Sequence, residues 1–420
     1  MQRSIVIICN LDTRGEDILF VKELIRKRGH TPILIDFSME AQPAVDGDVT
    51  CGEVAHRGGL PIAEVRRLYQ TDRERATNNQ IAGIAAIIDD LRAHNRVHGV
   101  LGIGGATSAL VATSVMQKLP FGLPKVMASP IAGHPQYIRR LVGTHDIQMH
   151  NTILDVVRMN PLLKVQIANA VGAICGMVEM GGRTDFHIER PLVAVSSFGF
   201  AEMAVQAAVM MLEKGGFQPV VFHAQGVGDR AMEEMIAEGL FAGALDLCTG
   251  GVIENLYAGN RDPGPGRLTA AARRGIPVVL APCGLDMLSL GGRSERLEAV
   301  KGRARYVQDV MRVQVRTAPK ELEQAADVIG ERLNAARGPF VFLIPTQGWS
   351  SLDREGQPMR DRVADDAFVT RLRQKLHNRG AIKEVELHLY STEFARVAVD
   401  EFTRMYEAAD VAARPEENLG

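Results

Sequence analysis

The sequence predicts an α/β protein of two doubly wound parallel-sheet domains related by internal duplication, and three observations predict it. First, the chain has 420 residues, more than the roughly 250–300 that one core accommodates. Second, its strand candidates are continuous apolar runs such as VVLAP and FVFLIP. Runs of that kind suit parallel strands covered on both faces. Third, one plan occurs twice. Ile5–Asp36 (IVIICNLDTRGEDILFVKELIRKRGHTPILID) aligns without a gap on Leu192–His223 (LVAVSSFGFAEMAVQAAVMMLEKGGFQPVVFH). Val6 falls on Val193, Lys27 on Lys214, Gly29 on Gly216 and Pro32 on Pro219. Further on, Gly99–Leu110 matches Gly243–Leu256 in pattern, and Phe121–Pro130 matches Arg274–Cys283. Strands alternating with helices give right-handed βαβ units, so each half reads as a Rossmann-like sheet.

The elements follow in order. Each repeat begins with a buried strand, a loop, an amphipathic helix closed by glycine, then proline and a second strand. In the first half, strand VHGVLGI runs into Gly104 and Gly105 and the helix ALVATSVMQKL, and strand PKVMAS follows. The helix KVQIANAVGAICGMVEM carries small residues on every face and suits close burial, pointing to a homodimer or higher homo-oligomer. Gly, charge and Pro then cluster in Met180–Pro191, which sets the domains at 1–185 and 190–420. The second half continues through strand PVVFHA, helix AMEEMIAEGL, strands VVLAP and FVFLI, and a polar tail after Asp410 that is expected to fray.

Composition narrows the function. Lys and Arg total 48 against 50 Asp and Glu, a net charge of −2, which argues against a nucleic-acid partner. The five cysteines are odd in number and show no CxxC spacing. That disfavours a disulfide framework or zinc site and favours a reducing compartment. MQRSIVIICNLD reads as a first strand, not a signal peptide. No run reaches the ~18 apolar residues of a membrane span. The expectation is a cytoplasmic protein without a membrane partner.

Ligands of open α/β sheets bind at the carboxyl ends of strands, so the loops there are the candidates. Gly104 and Gly105 let a backbone approach a ligand. Thr107 and Ser108 add hydroxyls at a helix start, a cradle for phosphate or carboxylate. The competing reading is a tight turn with a Ser/Thr cap. In the second half, Gly226, Gly228 and Arg230 open a helix and offer a cation, against a surface ion pair with a nearby Glu. Thr144, His145 and Asp146 combine ligand-binding and acid/base potential with a plain helix-cap reading. His223 ends a strand beside the Gly226 loop. Cys283, beside Pro282 and Gly284, is a nucleophile candidate that lacks a GxSxG elbow or a fixed His partner. Cys9, Cys175 and Cys248 read as small core residues. No HExxH, paired His or carboxylate cluster has metal-ligand spacing.

ICNLDTRGEDILFVKELI, GVLGIGGATSALVAT, VGTHDI, FHAQGVGDRAMEEMI and GIPVVLAPCGLDM, in this order, resemble the Tm-1-like ATP-binding domain family of UPF0261 type, relatives of the tomato tobamovirus-resistance protein. The similarity spans nearly the whole chain. It implies two Rossmann-like domains, ATP bound with Mg²⁺, and a dimer; the plant member binds a viral replicase. Residues matching the family's loops are Asp12, Thr13 and Gly15, then Gly104, Gly105, Thr107 and Ser108, then Gly226, Gly228 and Arg230. This chain departs at Cys248-Thr249-Gly250-Gly251, at Pro282-Cys283 and at Tyr306–Asp309, which places the second half's ligand in doubt. Two functions are expected: a nucleotide- or small-anion-binding protein using the cleft between the domains, or a C–C lyase or hydrolase acting on a small carboxylate or keto acid there.

Overall fold

The computed structural model describes residues 3–13, 15–43, 45–181, 188–291 and 295–413. The chain divides into two compact units, residues 1–186 and 187–420. Part of the Met180–Pro191 boundary lies outside the described residues, as do Arg14 and the last seven residues of the tail. The helix Thr392–Ala413 extends beyond Asp410, where fraying was expected.

In the first unit, β1 (Ser4–Cys9), β2 (Thr31–Asp36), β3 (Gly99–Ile103), β4 (Lys125–Ser129) and β5 (Gln148–Asn151) form one sheet in the order β2-β1-β3-β4-β5. Every pairing is parallel, with Val6 opposite Ile33 and Val100. Alternation along β1 explains why its whole run is apolar. Val6 and Ile8 join the core under the helices Arg73–Ala93 and Ala106–Met116. Ile5, Ile7 and Cys9 face the helices Gly15–Lys27 and Pro161–Gly181. By length and composition alone, Pro161–Gly181 is long and apolar enough to cross a membrane. Leu163, Ile167, Val171, Ile174 and Val178 of this helix pack in the sheet's core.

The second unit repeats the plan with additions. β6 (Leu192–Ser197), β7 (Gln218–His223), β8 (Gly243–Asp246) and β9 (Val278–Leu280) precede a three-stranded antiparallel sheet. That sheet consists of β10 (Met287–Leu290), β11 (Arg305–Val307) and β12 (Val313–Arg316), in the order β10-β12-β11. β13 (Phe340–Pro345) and β14 (Ile382–Val385) complete a parallel sheet ordered β7-β6-β8-β9-β13-β14. Its first five positions repeat the strand order of the first unit. Helix Glu202–Lys214 falls in the repeat where Gly15–Lys27 falls, and β7 where β2 falls.

Candidate anion-binding site

The strand order of the first sheet reverses between β1 and β3. The chain leaves these two neighbours toward opposite faces, so a crevice opens outside their carboxyl ends. A cleft of about 320 Å³ lies there. Asp12 and Thr13 line it from the loop after β1, and Gly105, Ala106, Thr107 and Ser108 from the helix start after β3.

Side-chain hydrogen bonds hold the two loops together. Asn10 Nδ2 donates to Asp12 Oδ1 at 2.9 Å and to Thr13 Oγ1 at 2.7 Å. Ser108, which is buried, donates from Oγ to Asn10 Oδ1. Below them, Asp36 Oδ1 accepts from Leu11 N, Ser38 N and Ser38 Oγ, while Ser38 Oγ accepts from Asp12 N at 3.0 Å. Burial pushes the Asp36 carboxyl up, and these hydrogen bonds pull it back.

Gly104 adopts a φ of +144°, a conformation glycine alone takes readily. It turns the chain so that Gly105 becomes the N-cap of Ala106–Met116. Glycine brings no capping side chain, and no side-chain cap hydrogen bond is seen at this helix start among the described residues. The N–H groups of its first turn are therefore open to an anion, with the helix dipole behind them. Thr107 is exposed.

The cleft also contains residues that sequence reasoning missed. Phe37 and Met39 form an apolar wall, Tyr69 contributes a ring, and Glu40, Asp155 and Val157 complete the lining. Glu40 follows β2, and its N–H donates to Asp12 Oδ2 at 3.2 Å. The acidic residue ending β2 was a readable signal for this wall. Tyr69 had none, because it arrives on an inserted helix, Ile62–Thr71. Gly15 begins its helix with Val45 packed 3.3 Å from where a Cβ would stand.

Other candidates belong elsewhere. Thr144, His145 and Asp146 precede β5, so they lie at the amino edge of the sheet, opposite the cleft. Asp146 accepts from Gly122 N at 2.8 Å and pairs with the fully buried Lys125 at 2.7 Å, a structural role. Gly226 and Gly228 do open a helix at the carboxyl edge of the second sheet. Buried Asp229, in the first turn of that helix, accepts from Gly226 N at 2.7 Å, which sets a carboxylate beside this helix start. Gly228 is required because a Cβ there would lie 2.2 Å from the His223 carbonyl oxygen. Arg230 Nε lies 3.6 Å from Glu234 Oε1 on its own helix. His223 is exposed at the end of the edge strand β7. Cys283 is fully buried, and burial beside Cys248 pushes its thiol well above the ordinary value, which does not suit a nucleophile.

The equivalent crevice in the second unit, between β6 and β8, is filled. Leu247, Cys248, Thr249, Gly250 and Gly251 are all buried. Ser196 Oγ donates to Asp246 Oδ1 at 2.8 Å and accepts from Cys248 N. Arg267, without exposure, binds both oxygens of Asp246, reaches Glu233 at 3.1 Å and lies 3.5 Å from Asp229. Burial raises Asp229 and Glu233, and Arg267 opposes it.

Comparison with known proteins places this geometry in a family. The N-terminal domain of the uncharacterised protein family UPF0261 matches residues 3–182, and its C-terminal domain matches residues 190–406. A UPF0261 protein of Clostridium tetani is 33% identical over 409 residues, covering 97% of this chain and 100% of the relative. One from Rhizobium meliloti is 32% identical, covering 94% and 98%. The ToMV resistance protein Tm-1(GCR237) of Solanum lycopersicum is 30% identical over 85% of this chain, which spans 46% of the tomato protein. Among solved structures, a putative UDP-N-acetylglucosamine 2-epimerase from Listeria monocytogenes aligns over the whole of both chains at 12% identity and a TM-score of 0.22.

Proposed function

The chain belongs to the UPF0261 family, and on that premise we propose that it binds a nucleotide, seated in the cleft of the first unit with a phosphate on the first turn of Ala106–Met116. The observation that carries this reading is the uncapped helix start at the β1/β3 reversal, lying opposite an apolar wall. The N–H groups and the dipole take the phosphate. Tyr69, partly exposed, offers the aromatic surface that a base needs, beside the nearly buried Phe37 and Met39.

The charge of the lining supports a cation-bound nucleotide. Asp12, Glu40 and Asp155 face the cleft, and no described lining residue is Lys, Arg or His. A bare polyphosphate would meet carboxylates without a cationic side chain. Among the described residues, no group of three His, Cys, Asp or Glu forms a metal cage. Mg²⁺ needs no such cage, since it binds through one or two carboxylates plus the substrate's phosphates. Asp12 and Asp155 are the residues that would hold it, and the cation would supply the neutralising charge.

Thermal-shift titration of the full chain tests this reading. ATP with Mg²⁺ is expected to raise the melting temperature with ligand concentration, and ATP with EDTA to do so far less. No shift with ATP, ADP or AMP in the presence of Mg²⁺ overturns the reading.

A further inference from the structure

The guanidinium groups of the second unit are mostly committed to partners. Arg316 pairs with Asp365, Arg371 with Asp327 and Arg373 with Glu384, while Arg332 donates to two carbonyls. Arg354 and Arg362 differ. Both are exposed, and neither has a hydrogen-bonded side chain or an ion pair among the described residues. They line one open cavity of about 810 Å³ together with Gln347, His388 and Tyr390.

The cavity lies beyond the carboxyl ends of β13 and β14, since Gln347 follows β13 and His388 follows β14. Its walls are fixed. His388 Nδ1 accepts from Tyr390 N at 3.0 Å, and its Nε2 meets the Asp353 carbonyl at 3.2 Å. Gln347 Nε2 donates to the Glu386 carbonyl. Arg354 rests over the Tyr390 ring with its Cζ 5.4 Å from the centroid. The carboxylate of Glu355, also in the lining, lies 4.0 Å from Arg360 Nε. Arg360 is about nine-tenths buried, and its Nε has no hydrogen-bond partner. It lines a second depression of about 250 Å³ that Arg362 also borders.

We propose that this cavity is a second ligand site, taking a phosphate-bearing small molecule between Arg354 and Arg362. Arg354 and Arg362 bring two positive charges to a cavity lined by one carboxylate, that of Glu355, which leaves an excess for an anion to answer. A tetrahedral oxyanion accepts paired N–H bonds from each planar guanidinium, and the Tyr390 ring stiffens one of them. The site is separate from the cleft of the first unit, and its test does not depend on that proposal.

The experiment uses the full chain carrying Gly105→Asp, which blocks the first cleft. Inorganic pyrophosphate is titrated into it by calorimetry and followed by ³¹P NMR. Binding is expected to survive Gly105→Asp, to weaken by about tenfold or more in Arg354→Ala and in Arg362→Ala, and to be partly restored by Arg362→Lys. Melting curves are expected to stay unchanged in each variant, because both side chains are exposed. If the Gly105→Asp protein fails to bind pyrophosphate, or the two alanine variants bind it as tightly as their parent, the second site does not exist.

Discussion

Ser108 Oγ donates to Asn10 Oδ1 at 2.9 Å, and this bond joins the loop after β1 to the helix that follows β3. The two walls of the cleft come from residues 98 positions apart in the chain. Asn10 in turn holds Asp12 and Thr13. The Ser108 hydroxyl therefore helps to set the geometry offered to a ligand.

Replacing Ser108 with alanine removes that hydroxyl from a buried position. We expect a loss of about 0.5–1.5 kcal/mol of stability, measured by urea unfolding, together with weaker Mg²⁺–ATP binding by calorimetry. Thr107→Ala, at an exposed position without that bond, is expected to leave stability within about 0.5 kcal/mol. Equal stability losses in the two variants would contradict the bridging role.

Gly105→Asp separates binding from folding. Aspartate is a favoured N-cap, better than glycine by only a few tenths of a kcal/mol. Its carboxylate would occupy the open N–H groups and repel an incoming phosphate. The melting temperature should hold or rise slightly while nucleotide affinity falls at least tenfold. Unchanged affinity would remove the helix start from the site.

All five cysteines are buried and none is in a disulfide. Burial pushes the thiols of Cys51 and Cys175 to about 11, and that of Cys283 well above its ordinary value. A thiol reagent at pH 8 is expected to react only as fast as the protein opens, and Cys283→Ala should bind nucleotide normally. Rapid stoichiometric labelling of Cys283 in the native protein would revive it as a nucleophile.

A buried group of charges in the second unit predicts a pH dependence. Arg360 bridges Asp353 and Asp365, Arg316 holds Asp365, and Ser350 donates to Asp286 at 2.5 Å. Three carboxylates thus share two guanidiniums. Burial first, then their mutual repulsion, raises Asp286 to about 6; Asp365, also raised mainly by burial, reaches about 7. Both exceed the unfolded value near 3.8, so the folded state holds protons that the unfolded chain has released. This contribution to stability is complete below about pH 4 and is lost as pH rises through 6 and 7. Melting temperatures between pH 5 and 8 should carry this falling component, and Asp365→Asn should flatten it. An identical slope in the variant would refute the assignment.

The sequence carried the strands, the repeat and the loop Gly104–Ser108, because each is written in contiguous residues. An apolar run, a gap-free alignment and paired glycines need no knowledge of distant partners. Tyr69 and Asp155 were not legible, since only tertiary folding brings them to the cleft. The place of Thr144, His145 and Asp146 was hidden for a related reason. Their chemistry is visible in sequence, but the edge of the sheet they occupy depends on where β5 begins. Gly226 and Arg230 were correctly placed at a helix start, and the carboxylate that Asp229, one residue before Arg230, sets there was not weighed. The antiparallel sheet of β10, β11 and β12 went unread because its strands are only three or four residues long.

The filled crevice around Arg267 has a consequence for how this chain can change. One guanidinium answers to Asp229, Glu233 and Asp246 at once. Losing it would strand buried carboxylates, a class of change that costs about 3–5 kcal/mol, a large part of the ~5–15 kcal/mol that holds a typical protein folded. Removing any one of the acids leaves the arginine with the remaining two, so the acids can be exchanged in steps while the arginine cannot. Single mutations can therefore explore new chemistry in the first copy of the repeat, where the crevice is open. The second copy keeps its arginine unless the acids paired with it are replaced as well.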